Sequence, residues 1–127
     1  MSAPQMVLDH PETLVGSPVI SPAQRSLLVV ALDLRIDMME MCGLPDEPSM
    51  VAARHVRSVL IQTIGWPITS IELPDATLLQ VWEMREALEG LIGHARMSYC
   101  EITQVHDLYS SIAGCLLVAG MDDIDLN

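Results

Sequence analysis

Two rows of carboxylates are the first residues in this chain with the spacing that chemistry needs. Asp33, Asp37 and Glu40 recur at intervals of four and three, and Glu83, Glu86 and Glu89 at intervals of three, so on a helix each set lines one face. Rows of this kind on facing helices can hold magnesium, as in the all-helical nucleotide pyrophosphohydrolases, or iron, as in carboxylate-bridged bundles. Neither pattern is complete. The iron bundles use Glu-x-x-His, and no glutamate here has a histidine three positions on. The pyrophosphohydrolase arrangement needs cations for phosphate, and the chain has no lysine. Each row therefore reads first as a solvated helix face, and no resident metal or other cofactor is expected.

His94, Cys100, His106 and Cys115 are the one group of soft ligands, at spacings of six, six and nine. None of these spacings is the i, i+4 separation that brings two helical ligands together, and a buried cysteine ordinarily behaves as a small hydrophobe. G-x-S-x-G, H-E-x-x-H and glycine-rich phosphate loops do not occur. With no catalytic set assembled, the expectation is a protein that is not an enzyme.

Charge narrows the choice of partner. The 127 residues carry 17 Asp and Glu against six basic residues, all arginine, for a formal charge of −11. Binding to a phosphate backbone gains its affinity from several cationic contacts that displace counterions. Arg54 and Arg57 would form only a small basic spot against the opposing field. No direct nucleic-acid binding is expected, and the absence of lysine removes Schiff-base and lysine phosphate-loop chemistry. Half of the chain is hydrophobic, which a disordered acidic tail would not be. Three widely spaced cysteines fit a reducing cytoplasm better than a disulfide framework. Residues 1–22 lack a signal-peptide pattern, and the charge-free stretch 108–121 is too short and too polar to span a bilayer, so no membrane association is expected.

The elements that must carry these rows follow from caps and periodicity. Residues 1–21 contain Pro4, Pro11 and Pro18 and read as an extended or flexible arm. Ser21-Pro22-Ala23-Gln24 starts a helix running to about Cys42, with Gly43 as its stop. Its periodicity places Leu27, Ala31, Leu34, Met38 and Met41 inward, and its apolar stripe covers well over half the circumference. That helix is therefore either central or partly covered by another chain. A turn over residues 43–48 leads to a second helix from about Pro48 to Ile64, with Met50, Ala53, Val56, Leu60 and Ile64 inward and Gly65-Trp66-Pro67 ending it. Residues 68–73 fit either an extended connection or a helical turn. Asp75 is the expected cap of a third helix, marked by Leu78, Val81, Trp82, Arg85, Leu88 and Ile92. Gly90 and Gly93 inside it suggest either a close backbone approach or a break. The Ser98…Glu101 capping box starts a fourth helix, with Ile102, Val105, Tyr109, Ile112, Ala113 and Leu116 on one side, stopped by Gly120. Residues 121–127 form an acidic tail. The fold class expected is all-α: a small antiparallel bundle of about four helices over residues 22–120.

Three further residues stand out. Arg35 projects from the apolar face of the first long helix and requires either a carboxylate partner within the chain or a place at an interface. Met38 belongs to a methionine cluster of the kind used on adaptable binding faces. Trp66, in its Gly-Trp-Pro turn, either caps the bundle or is an exposed anchor. The expected function is a non-catalytic, acidic protein-binding module that occupies a basic surface of a nucleic-acid-processing enzyme. In charge and size, though not in motif, it is comparable to immunity proteins, anti-CRISPR inhibitors and DNA mimics. Its expected contact residues are Asp33, Asp37, Glu40, Arg35, Met38, Trp66, Glu83 and Glu86. The alternatives are a small chaperone or adaptor, a homodimer through the methionine-rich face, and, third, a helical metal-dependent hydrolase.

Overall fold

Reciprocal capping boxes open three helices. Ser21 Oγ accepts from the Gln24 N–H (3.1 Å) while the Gln24 side chain accepts from the Ser21 N–H (2.9 Å), starting α2 (Pro22–Met41). Thr77 and Gln80 do the same for α4 (Leu78–His94), and Ser98 and Glu101 for α5 (Tyr99–Val118). Each box satisfies two backbone donors that a helix start otherwise leaves unpaired. The α2 and α5 starts lie where the sequence places them. The α4 start does not: Asp75 takes a left-handed φ of 51° in a turn, and Thr77 is the cap. The third residue after Asp75 is Leu78, which cannot return a hydrogen bond, whereas the third after Thr77 is Gln80.

The computed structural model describes residues 3–42 and 47–121. The expected Gly43 stop, most of the turn that follows it and the acidic tail from Asp122 lie outside them. Helix α3 (Glu47–Gln62) and a short helix α1 (Gln5–Asp9) complete the set. Thus the arm is not extended throughout. Pro4 sits at the cap of α1, where a missing N–H does no harm, and Val7 is buried.

After a turn at Pro11 and Glu12, residues 13–20 run extended beside residues 71–77 and the first turn of α4. Leu78 N donates to Thr13 O (2.8 Å), Val15 N to Ala76 O (2.8 Å), and Ile20 and Ile71 exchange both bonds (2.9 and 2.7 Å). Two isolated antiparallel bridges, Leu14 with Thr77 and Ile20 with Ile71, mark the register. The arm lies across its own bundle, and the open question over residues 68–73 resolves as an extended segment.

Contacts along the helices set their directions. Arg25 reaches Thr63 O (3.0 Å), Arg57 pairs with Asp33 and Arg54 with Glu40, so α2 and α3 are antiparallel. Four residues separate α4 from α5, and Gln24 Nε2 reaches Gln104 O (3.5 Å), which brings the end of α4 beside the start of α2. Helix α4 is therefore antiparallel to α2 and parallel to α3, and residues 63–77 travel the length of the bundle between them.

Helix α4 is the central rod, packed on α1, α2, α3 and α5. Sequence periodicity gives α2 an apolar stripe over well over half its circumference, and the phase of that stripe needs correction. The buried ridge of α2 is Leu28, Ala31, Leu32 and Ile36, while Leu34, Met38 and Met41 are 36%, 48% and 86% exposed. In α3, Met50, Ala53, Val56 and Leu60 are buried as expected, and Ile64 falls beyond the helix and is exposed. In α5 the ridge is Val105, Leu108, Ile112 and Leu116, with Ile102 exposed and Tyr109 at the flank; in α4, Ile92 is exposed. Gly120, at φ 102°, ends α5 as expected: its N–H donates to Leu117 O and the Met121 N–H to Leu116 O, closing a Schellman turn. No helix among the described residues is long and apolar enough to cross a membrane, and the three cysteines are free thiols.

Candidate functional site

The inner face of α4 carries charge where packing alone would put hydrocarbon. Glu83 is 1% exposed, and Arg35 on α2 grips it with two bonds, Nε to Oε2 at 2.9 Å and Nη2 to Oε1 at 3.4 Å. Arg35 is thus held by an intramolecular ion pair, one of its two expected solutions. Glu83 departs from the solvated row expected for it. The single-residue pattern counts a glutamate as outward, but this one is compensated by a cation on the facing helix.

Two residues further on, Arg85 is buried, its guanidinium 4.7 Å from the Trp82 ring centroid and 5.5 Å from that of Tyr109. Its Nη2 lies 3.4 Å from Glu89 Oε1 and its Nη1 3.9 Å from Glu86 Oε1. The Tyr109 hydroxyl donates to Glu89 Oε1 at 2.7 Å. Burial, reinforced by that hydrogen bond, pushes the Tyr109 phenol up to about 12.

Glu86 has the least support. Its side chain is 11% exposed, and its Oε1 is buried with no hydrogen-bond donor among the described residues. Burial raises its carboxyl above the ordinary range, against the opposing pull of Arg35 and Arg85. The consequence for stability has a definite sign. The fold carries no penalty below the ordinary carboxylate range, where the group is protonated in both states, and the full penalty above the raised value. Glu86→Gln is therefore expected to raise the melting temperature at pH 7, with the gain shrinking towards zero at pH 3.5. Thermal melts at the two pH values check this.

A cavity of about 260 Å³ opens between α2 and α4 against this cluster, lined by Ala31, Leu34, Arg35, Met38, Glu86, Ala87, Glu89 and Gly90. Gly90 neither breaks α4 nor admits a neighbouring backbone. A Cβ built there meets nothing within 4 Å, and the same holds for Gly93.

The other expected residues lie elsewhere. Asp33 and Glu40 face α3, where Arg57 and Arg54 take them, Glu40 at 2.7 Å, while Asp37 stays exposed on the same helix. The basic spot expected at Arg54 and Arg57 is thereby spent on α2. Trp66 is 58% exposed in the turn after α3 and is not part of the α2–α4 cavity lining. So Arg35, Met38, Glu83 and Glu86 come together, and Asp33, Asp37, Glu40 and Trp66 do not join them. Arg85, Glu89 and Tyr109 belong to the site but were not among the expected contact residues. Their signal was present in Trp82-x-x-Arg85-x-x-x-Glu89, which places an aromatic ring and a carboxylate one turn either side of a guanidinium on the apolar stripe.

Among the described residues no group of three or more His, Cys, Asp or Glu converges to hold a metal ion. His94 instead donates from Nδ1 to Gly90 O at 2.8 Å, and burial raises the Cys115 thiol. Comparison with family models, curated proteins and solved structures gave no match.

Proposed function

We propose that this protein is a non-catalytic acidic binding module that docks on a basic surface of a protein partner, in the manner of an inhibitor or immunity-type protein acting on a nucleic-acid-processing enzyme. The observation that carries this is where its cations go. Arg35, Arg54, Arg57 and Arg85 each pair with a carboxylate of the same chain, in a molecule of formal charge −11. Asp37, Glu72 and Asp107 are exposed and stand outside those pairs. With four of its six arginines neutralised by carboxylates of the same chain, the exterior presents a net anionic field that attracts basic surfaces and repels nucleic acid and anionic lipid. A reducing cytoplasm is the compartment that the three free thiols fit.

A polyarginine peptide serves as the probe. Its affinity is expected to fall steeply with salt, and Asp33→Asn with Asp37→Asn to slow association several-fold at low ionic strength, converging on the wild-type rate at high salt. Stopped-flow fluorescence measures both, and salt-independent binding or an unchanged rate in the double variant overturns the proposal. A second reading, a dimeric adaptor, is favoured by one observation: Val30, Leu34, Met38 and Met41 form an exposed apolar stripe along α2. Light scattering separates the two, since the adaptor requires a dimer at micromolar concentration.

A further inference from the structure

We propose that the cavity between α2 and α4 is a receptor for one basic side chain of the partner, whose apolar stem lies on Ala31, Leu34 and Met38 and whose cationic head meets the Glu86 carboxylate. It rests on the acidic-module proposal and names the contact that such a module would use. Charge is the first support. Among the described residues Glu83, Glu86 and Glu89 stand against two guanidinium groups, Arg35 and Arg85, so this set holds one carboxylate in excess. Glu83 is matched by Arg35 with two bonds, and Glu89 takes both the Tyr109 hydroxyl and Arg85. Among the described residues the excess falls on Glu86, which lines the cavity and whose Oε1 has no hydrogen-bond donor there. A cationic head in the cavity offsets that excess charge without reaching Oε1 itself, which is closed to solvent beside Arg85.

Shape is the second support. The walls beside Glu86 are apolar at Ala31, Leu34, Met38 and Ala87, Arg35 and Glu89 complete the lining, one cation against two carboxylates, and Gly90 leaves room that any side chain there would fill. A cavity of about 260 Å³ accommodates a three-carbon stem with a guanidinium head or a four-carbon stem with an ammonium head. Arginine and lysine have that build, hydrocarbon along the stem and donors at the tip. A neutral apolar ligand would bury Glu86 further without supplying a donor, and an anion would add to the excess.

The test is a titration of the full chain followed by methyl NMR at Ala31, Leu34 and Met38. The probes are n-butylguanidinium chloride, n-butanol as the neutral control, and the peptide acetyl-Gly-Gly-Arg-Gly-Gly-amide. Saturable shifts at these methyls are expected with butylguanidinium and with the peptide but not with butanol, and Glu86→Gln should weaken both by at least about tenfold. Gly90→Leu keeps every charge and fills the space, adding helix propensity, and should abolish the shifts while the protein stays folded. Shifts with butylguanidinium but not the peptide would make this a small-cation site and overturn the side-chain proposal. Polyarginine that binds both variants as tightly as wild type, with the cavity methyls unmoved, would overturn the cavity and leave the acidic exterior standing. Failure of polyarginine to bind at all would remove both.

Discussion

Arg35→Met is expected to destabilise the protein by about 3 kcal/mol, while the double variant Arg35→Met/Glu83→Leu recovers most of that loss. Glu83 is buried and its described hydrogen bonds come from Arg35. Removing the cation leaves a carboxylate in the low-dielectric space between α2 and α4. Breaking one side of a buried pair costs roughly 3–5 kcal/mol, and the lower end applies here because Arg35 is 31% exposed and water can follow it in. Glu83→Leu alone is expected to cost less, about 1 kcal/mol, since the guanidinium freed by it can turn to solvent. Replacing both groups by hydrocarbon of similar volume removes the desolvation penalty together with the attraction, which is close to neutral. Urea melts of the four proteins close the cycle. An Arg35→Met variant within about 0.5 kcal/mol of wild type would mean that the pair is not the junction described.

Leu88→Ala is expected to cost about 3–4 kcal/mol, against no more than about 0.5 kcal/mol for Leu34→Ala. Leu88 has no exposed surface and lies on the rod that all the other helices touch. Its removal leaves a cavity that helices fixed on several sides cannot collapse into. For a chain of this size the melting temperature should fall by roughly 10–15 °C. Leu34 stands 36% exposed at the rim of the α2–α4 cavity, where losing a side chain removes little packing. The contrast also tests the phase of α2. If the ridge through Leu27, Leu34 and Met41 faced the core, Leu34→Ala would be the costly one.

Local rules carried the fold a long way. Ser21 with Gln24, and Ser98 with Glu101, place two helix starts to the residue, because a capping box is satisfied within four consecutive positions. The inward face of α3 and the stop at Gly120 were legible for the same reason. Long-range compensation was not. The phase of α2 depends on Arg35 turning inward to meet Glu83, forty-eight residues away, and no hydropathy period weights a charge by its partner. The centrality of α4 was hidden likewise, since Glu83 and Arg85 make it look amphipathic although both are buried. The site inherits this pattern. Its members Arg35, Met38, Glu83 and Glu86 could be singled out by residue type and spacing. What brings them together, and sets Asp33 and Glu40 apart against α3, is the helix packing itself.

The extended contact between residues 13–20 and 71–77 joins segments more than fifty residues apart in the chain. Each helix can form from neighbours, but this seam closes only after the rods have met, so its loop entropy is recovered late in folding. Its amide protons should accordingly exchange with solvent through a partial opening, at lower free energy than those of α4, which wait for global unfolding. When the strap lifts, Ile71, Leu73 and Ala76 lose their cover and an unpaired backbone edge faces outward. At high concentration a second molecule's strap can settle on that edge, which gives the chain a route to arm exchange that leaves every helix intact.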